Sequence, residues 1–328
     1  MKAKNRKHKK IKKFLLLFLC IAFVVSFFNF FWTSIPKPVP KEQITILGSA
    51  LHNRNKKVDY KNDVYDRQHE RTVFIYDTVT QKSADIFADG YYDLFSPYVI
   101  SDNEFICSAT RTTDDKPFLL FYKHNSLTKA VSVDYYPDQI VYAKGFVYFA
   151  SDKTLYKMSV ADGTTVVLKN NIKPYFKSLN VGRSVFTDGN CVLYSSDNEE
   201  RCSWFMYDCS TGTETFVMEA ATCAGFTEDG RVLFGCKKQS EFSEKMIYKE
   251  FDLKTNKTNL FMPWIRFLSP NVFNDTYIQN THDTGYGSVI CEPHLVSLKT
   301  SCAYYLPNID VSSVDGIWLT VLEIFSYA

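Results

Sequence analysis

From about residue 72 to the C-terminus the chain is a succession of short runs in which apolar and polar residues alternate, rich in Val, Ile, Phe and Tyr. A period of two puts one set of side chains on each face of an extended segment, so the pattern predicts β-strands and no long helix. One turn recurs between pairs of these strands: an Asp, Asn or Ser, two further residues, then usually Thr. It stands at Asp77/Thr80, Asn125/Thr128, Asp208/Thr211, Asp252/Thr255 and Ser297/Thr300, with a weaker copy at Ser159/Asp162. Short polar side chains at such positions hold the backbone of a tight turn. Successive copies are 48, 34, 49, 44 and 45 residues apart, a mean of 44. Four short strands with their turns need about that length, which is the period of a propeller blade.

A second kind of strand pair lies between these hairpins. Two copies open alike, at residues 94–107 (LFSPYVISDNEFIC) and 267–279 (FLSPNVFNDTYIQ). Others carry Asp-Gly turns at Asp188-Gly189, Asp229-Gly230 and Asp315-Gly316. Asp-Gly between strands is a strong hairpin signal because Gly accepts a positive φ without steric cost. Each repeat therefore reads as an inner and an outer hairpin in series. The repeats begin with an outer hairpin at residues 72–87 and end with an inner pair at 309–327. Six complete blades result only if the two ends join in one blade, a closure that also removes exposed strand edges. The expected fold class is all-β: a six-bladed β-propeller over residues 72–328, preceded by one N-terminal transmembrane helix. A seventh blade using residues 44–48 is the alternative.

Ahead of the repeats the pattern changes. Residues 14–32 (FLLLFLCIAFVVSFFNFFW) form an apolar run broken only by Ser26 and Asn29. At about 1.5 Å per residue, a helix of this length just crosses a hydrocarbon core. Residues 1–13 carry eight Lys and Arg and no acid, so the net charge of +2 divides into +8 on this tail and −6 on the remainder. A mildly acidic body lacks the basic face that phosphate neutralisation requires, and nucleic acid is not an expected partner. No small-x-small cleavage site follows Trp32, and Cys20 lacks the preceding small residue of a lipoprotein signal. The run is read as an uncleaved signal anchor, with a cleaved signal peptide as the alternative. Positive-inside bias then keeps residues 1–13 in the cytoplasm and places the propeller outside it. Residues 33–71 are read as an extracytoplasmic linker whose start is stiffened by Pro36, Pro38 and Pro40.

Phe95-Ser96-Pro97, Leu268-Ser269-Pro270, Phe226-Thr227-Glu228-Asp229-Gly230 and Phe186-Thr187-Asp188-Gly189 are degenerate copies of a Ser-Pro-Asp-Gly signature. On these residues the chain resembles the TolB-like and WD-repeat β-propeller families over roughly residues 72–328. The Trp-Asp and Gly-His dipeptides of a WD repeat are absent from it. The resemblance implies a propeller fold and a role as a binding platform, and it transfers no catalytic residue. It also implies that the connections leading from each outer hairpin to the next blade share a face with the inner-to-outer loops, around the mouth of a central channel. Those connections are rich in rings: Tyr91, Tyr92 and Asp93; Tyr135, Tyr136 and Asp138; Tyr175; Trp264 and Arg266. His282 falls in an inner-to-outer loop. Tyr and Trp offer rigid area with a polar tip, and beside acids and Arg they suit a protein, peptide or glycan ligand. The alternative use of each ring is as a wedge between adjacent blades.

Eight of the nine cysteines lie beyond the apolar run. If Asp229-Gly230 forms a two-residue turn, Cys223 stands opposite Cys236 and within disulfide reach; two buried thiols are the alternative. No CxxC, HExxH, GxSxG, P-loop or GxGxxG motif occurs, so no cofactor, metal site or catalytic residue is expected. The leading expectation is a membrane-anchored, extracytoplasmic binding or scaffold module. Acidic loops at Asp114-Asp115, at residues 197–200 and at His282-Asp283 keep a second reading open, a hydrolase or lyase using a metal or carboxylates at the channel mouth.

Overall fold

The computed structural model describes residues 17–27, 45–53, 69–172 (without 78 and 102), 184–196, 202–238 (without 221, 228 and 229), 245–260, 271–272, 277–282, 292–297, 303–305 and 319–325. Strands β1 (Thr45–Asn53), β2 (His69–Asp77) and β3 (Lys82–Ile86) come first. A sheet in chain order follows, made of β4 (Tyr91–Ser101), β5 (Glu104–Arg111), β6 (Pro117–Lys123) and β7 (Ser126–Ser132). The next holds β8 (Gln139–Ala143), β9 (Phe146–Ser151), β10 (Thr154–Ser159) and β11 (Thr165–Asn170). Then come β12 (Val185–Thr187), β13 (Cys191–Ser195), β14 (Ser203–Asp208) and β15 (Glu214–Glu219), and after them β16 (Thr222–Phe226), β17 (Arg231–Lys238), β18 (Lys245–Asp252) and β19 (Lys257–Leu260). The last chain-order sheet is β20 (Asn271–Val272), β21 (Tyr277–His282), β22 (Glu292–Ser297) and β23 (Ala303–Tyr305). Finally β24 (Leu319–Phe325) joins the first three strands in the order β24-β1-β2-β3. The described residues thus form six four-stranded antiparallel sheets.

That closing sheet corrects the reading of residues 33–71 as a linker. Thr45–Asn53 pairs with β2 on one side (Ile46↔Tyr76, Gly48↔Phe74) and with β24 on the other (Thr45↔Phe325, Gly48↔Leu322). Residues 45–48 therefore belong to the closing sheet and not to an additional one. The two ends of the repeat region do meet, with three strands from the N-terminal side and one from the C-terminal side. The remainder of the expected C-terminal pair, residues 309–318, lies outside the described residues. Leu47 is fully buried in the closing sheet, which is why an apolar stretch sits there.

The recurring turns form as their chemistry dictates. One carboxylate oxygen of Asp77 accepts from the backbone N–H of Val79 and of Thr80, both at 2.8 Å. Asp208 does the same for Ser210 (2.7 Å) and Thr211 (2.9 Å), and Asp252 for Lys254 (2.8 Å) and Thr255 (3.2 Å). Asn125 departs from the pattern. It and His124 both sit at positive φ (60° and 48°) in a two-residue turn between paired Lys123 and Ser126. Here the residue supplies a left-handed backbone, as the primed hairpin turns require.

The register at Asp229-Gly230 overturns the expected disulfide. Thr227 N–H donates to the carbonyl of Arg231, so three residues separate the strand ends rather than two. A further shift falls between Cys223 and Gly225, where Gly225 has a φ of 114°. Cys223 consequently faces Phe234, and both Cys223 and Cys236 are free thiols. Burial raises the pKa of each thiol.

Packing is by layers between the sheets. Strands flanked on both faces bury nearly every side chain, as in β5, where Ile106 faces one neighbouring sheet and Cys107 the other. One layer joins Leu47, Val73 and Ile75 to Leu94, Phe105 and Leu120. The next joins Ile106, Leu119 and Phe121 to Ile140, Phe149 and Met158. Similar layers follow on either side of β12–β15. The first strands of successive sheets lie against one another, β24 on β4, β4 on β8, β8 on β12, β12 on β16 and β16 on β20. The outermost strands β3, β7 and β19 are exposed, save for buried Ile86 at the end of β3 and half-buried Val131 in β7.

Residues 17–27 form a short helix whose Leu17, Phe18, Ile21 and Phe23 are all more than half exposed. Among the described residues no helix is long and apolar enough to cross a membrane. The rest of the expected span, residues 14–16 and 28–32, lies outside them.

Candidate functional site

The first two complete connections between sheets build one continuous face. Tyr91 and Arg111 are paired, as are Thr110 and Pro117, so the start of β4 and the β5–β6 turn lie at the same end of their sheet. Hydrogen bonds fasten them: Thr112 donates from its N–H (2.9 Å) and from its hydroxyl (3.1 Å) to the Gly90 carbonyl, and Tyr92 OH donates to Asp115 at 3.0 Å. The next sheet repeats the arrangement. Asp138 donates its N–H to the Ala150 carbonyl (2.7 Å), and its carboxylate accepts from the N–H of Asp152 (3.3 Å) in the β9–β10 turn.

Tyr136 links these two units. Its hydroxyl bonds the Asp93 carboxylate, and its ring stacks on Phe95 with centroids 5.1 Å apart. The backbone it grips is unusual. Asp93 and Ser96 are both left-handed (φ 53° and 50°), and the β4–β5 pairing shifts register three times. Left-handed non-glycine residues cost free energy and persist where surrounding contacts over-determine them. Ser108 supplies one such contact, donating its hydroxyl to the Phe95 carbonyl at 3.0 Å.

The rings divide by role. Tyr136 is a half-buried wedge. Tyr91 packs edge-on against Phe118 (5.3 Å) at the rim of a core layer. Tyr135, 46% exposed, stacks on Tyr156 at 4.4 Å and presents its other side to solvent. Tyr92 is partly exposed with its hydroxyl held by Asp115. Tyr175, Trp264 and Arg266 lie outside the described residues, and His282 ends β21 opposite Glu292.

Two participants escape a reading of the connections alone. Arg111 forms a two-pronged pair with Asp114 (2.9 and 2.5 Å) while its guanidinium lies 4.7 Å above the Phe118 ring. The Arg111 partner holds the Asp114 carboxyl down at about 2. Gln139, buried directly after Asp138, holds the next sheet through its side chain. The run RTTDDK between two strands signalled the first; nothing local signalled the second. Over residues 87–93, 111–116, 134–138 and 151–153, seven Asp stand against three Lys and Arg, so this face is acidic as well as ring-lined. Among the described residues no group of three or more His, Cys, Asp and Glu is placed to hold a metal ion.

Sheets stacked face to face around a series of adjoining first strands, closed by the pairing of β1 with β24, define a β-propeller fold. TolB from Acinetobacter baumannii superposes with a TM-score of 0.52 at 14% identity, over 86% of this chain and 67% of that one. The structure of a nidogen/laminin complex contains a chain that matches with a TM-score of 0.54 at 8% identity, covering 86% of this chain and 99% of that one. At such identities the likeness is one of fold alone. No protein-family model matches the sequence, and no curated protein does.

Proposed function

We propose that the protein is a six-bladed propeller held at a membrane by residues 14–32, with residues 1–13 cytoplasmic and the propeller outside, and that it works as a binding or scaffold module through its acidic, ring-lined face. The observation that carries this reading is the joining of two successive sheets into one surface by Tyr136–Asp93, with Tyr92–Asp115 fixing the rim of the first sheet, beside a Tyr135 ring that is supported beneath and open above. Fixed rings cost little side-chain entropy on binding, and clustered carboxylates favour a cationic partner. Among protein, peptide and glycan ligands, a Lys- or Arg-bearing protein segment suits this surface best, through charge pairing and stacking of cations on rings. The nidogen/laminin structure is that of a complex between proteins, in keeping with such a role. The bare apolar surface of the helix at residues 17–27 supports the anchor.

A Lys/Arg-scanned peptide array tests the face. Tyr135→Ala should weaken capture of cationic peptides severalfold while lowering the melting temperature by only about 2–4 °C, the worth of its one ring stack on Tyr156. Equal capture by wild type and variant, or a preference for acidic peptides, would overturn the reading.

A further inference from the structure

Thr45 opens β1 and pairs with Asp77 at the end of β2, and Asp77 pairs in turn with Lys82 at the start of β3. On its other side Thr45 pairs with Phe325, the last residue of β24. The chain therefore enters the closing sheet at the end where the β2–β3 turn lies. The acidic face is at the other end. From Lys82, β3 runs away from that turn to Ile86, and after only residues 87–90 Tyr91 opens β4 beside Arg111. Gly90, whose carbonyl accepts from Thr112, and Tyr92, bonded to Asp115, belong to the acidic face. Thr45 and the ring-lined surface thus stand on opposite sides of the molecule.

Strand length sets the distance between the two sides. The nine residues of β1, at about 3.3 Å each, give a height near 30 Å. Between the apolar run ending at Trp32 and the first strand lie the twelve residues 33–44. Fully extended, a segment of that length reaches roughly 40 Å. To bring the acidic face onto the bilayer, it would have to pass outward beyond β2 and β3, which lie outside β1 in the sheet, and then climb the full height. Two strand spacings of about 4.8 Å and a climb of about 30 Å use up that reach, leaving none to clear the loops of the face itself. An entry from the Thr45 side needs no such detour.

We propose that the propeller stands with its Thr45 side toward the membrane and its acidic, ring-lined side turned away from it. The partner is then a Lys- or Arg-bearing protein segment arriving from beyond the propeller, rather than a lipid headgroup or a segment lying at the bilayer surface. This rests on the anchor and the binding face proposed above. The orientation leaves the open ring of Tyr135 and the carboxylates around it an unobstructed approach. It also sets them several Debye lengths from the headgroups, so the face selects its partner by its own charge and not by that of the bilayer.

Thr113, in the β5–β6 turn, and Ser126, directly after the β6–β7 turn, are both exposed and mark the two sides of one sheet. The seven residues of β6 between them span about 23 Å. The full chain is reconstituted into phosphatidylcholine vesicles with an acceptor dye on the headgroups. A donor dye on Ser126→Cys should transfer energy severalfold more strongly than one on Thr113→Cys, each read above the native thiols of the unsubstituted chain. Equal transfer, or stronger transfer from Thr113→Cys, would overturn the orientation. No transfer from either, with the protein off the vesicles, would overturn the anchor and the orientation with it. The vesicles should also be held by beads carrying an oligolysine peptide, severalfold fewer of them with Tyr135→Ala. Vesicles that bind the same peptide free in solution yet escape the beads would equally count against the proposal. Because the dye comparison uses no peptide, failure of the face on the peptide array and failure of the orientation are separate results.

Discussion

Asp208 shows how much one side chain settles. Its carboxylate accepts two backbone N–H groups, and these contacts hold its pKa below the usual carboxylate range; Asp162 and Asp252 are lowered for the same kind of reason. A depressed folded-state pKa contributes stability above the unfolded value near 4 and loses it as pH falls through the folded value. Unfolding followed from pH 6 down to pH 2 should therefore show a loss of stability that begins below about pH 4. Asp208→Asn keeps the accepting oxygen and should flatten that slope, while Asp208→Ala should lower the melting temperature by about 2 °C even at pH 7. Such turns were legible in the sequence because the residue that marks the turn also builds it. The cysteine pairing was not legible: one extra loop residue before Arg231 and one shift at Gly225 moved Cys223 off Cys236. Peptide mapping without reductant should recover Cys223 and Cys236 unlinked to each other. Cys223→Ser, placing a hydroxyl where burial is complete, should cost about 1–3 kcal/mol by denaturant titration.

At the scale of the element, hairpins were readable and closure only half so. A hairpin announces itself locally, whereas β1 finds β24 across roughly 280 residues, and no turn residue can record that pairing. Residues 54–68 also separate β1 from β2 by more than a hairpin loop, so Thr45–Asn53 read as part of a linker. The geometry makes a clear demand. A chain starting at residue 72 lacks the middle of its closing sheet and should fail to give a cooperative unfolding transition, while one starting at residue 33 should retain it. Leu47→Ala, within the full chain, should cost about 2–5 kcal/mol because it empties a fully buried site. Similarly, the irregular β4 could be foreseen as Ser-Pro-containing but not as a strand with two left-handed residues, since Tyr136, in the connection between β7 and β8, supplies the grip.

For the whole molecule, the abundance of Phe and Tyr has a packing explanation. Sheets stacked face to face need large side chains between them, and the Phe105/Tyr122, Phe149/Tyr156 and Trp204/Phe234 pairs lie within these layers. Rings that reach the acidic face are the same stock put to another use, so a list of aromatic loops alone could not divide wedge from contact. The separation came from depth: Tyr136 is half-buried, Tyr135 open. The proposed placement at a membrane is checked by fractionation. The full chain should remain in the pellet after alkaline carbonate washing, and a chain lacking residues 1–32 should appear in the supernatant with its unfolding midpoint unchanged.

Closure by β24 also sets a timetable for synthesis. A protein leaving the ribosome N-terminus first offers β1 and β2 long before β24, the partner of β1 on its other side, has been made. Until Leu319–Phe325 emerges, the growing arc carries an open strand edge, a template for pairing with a second nascent chain. Folding should accordingly be slow for the size of the molecule, as high contact order dictates, and premature termination should yield swapped dimers and aggregates rather than a shorter propeller.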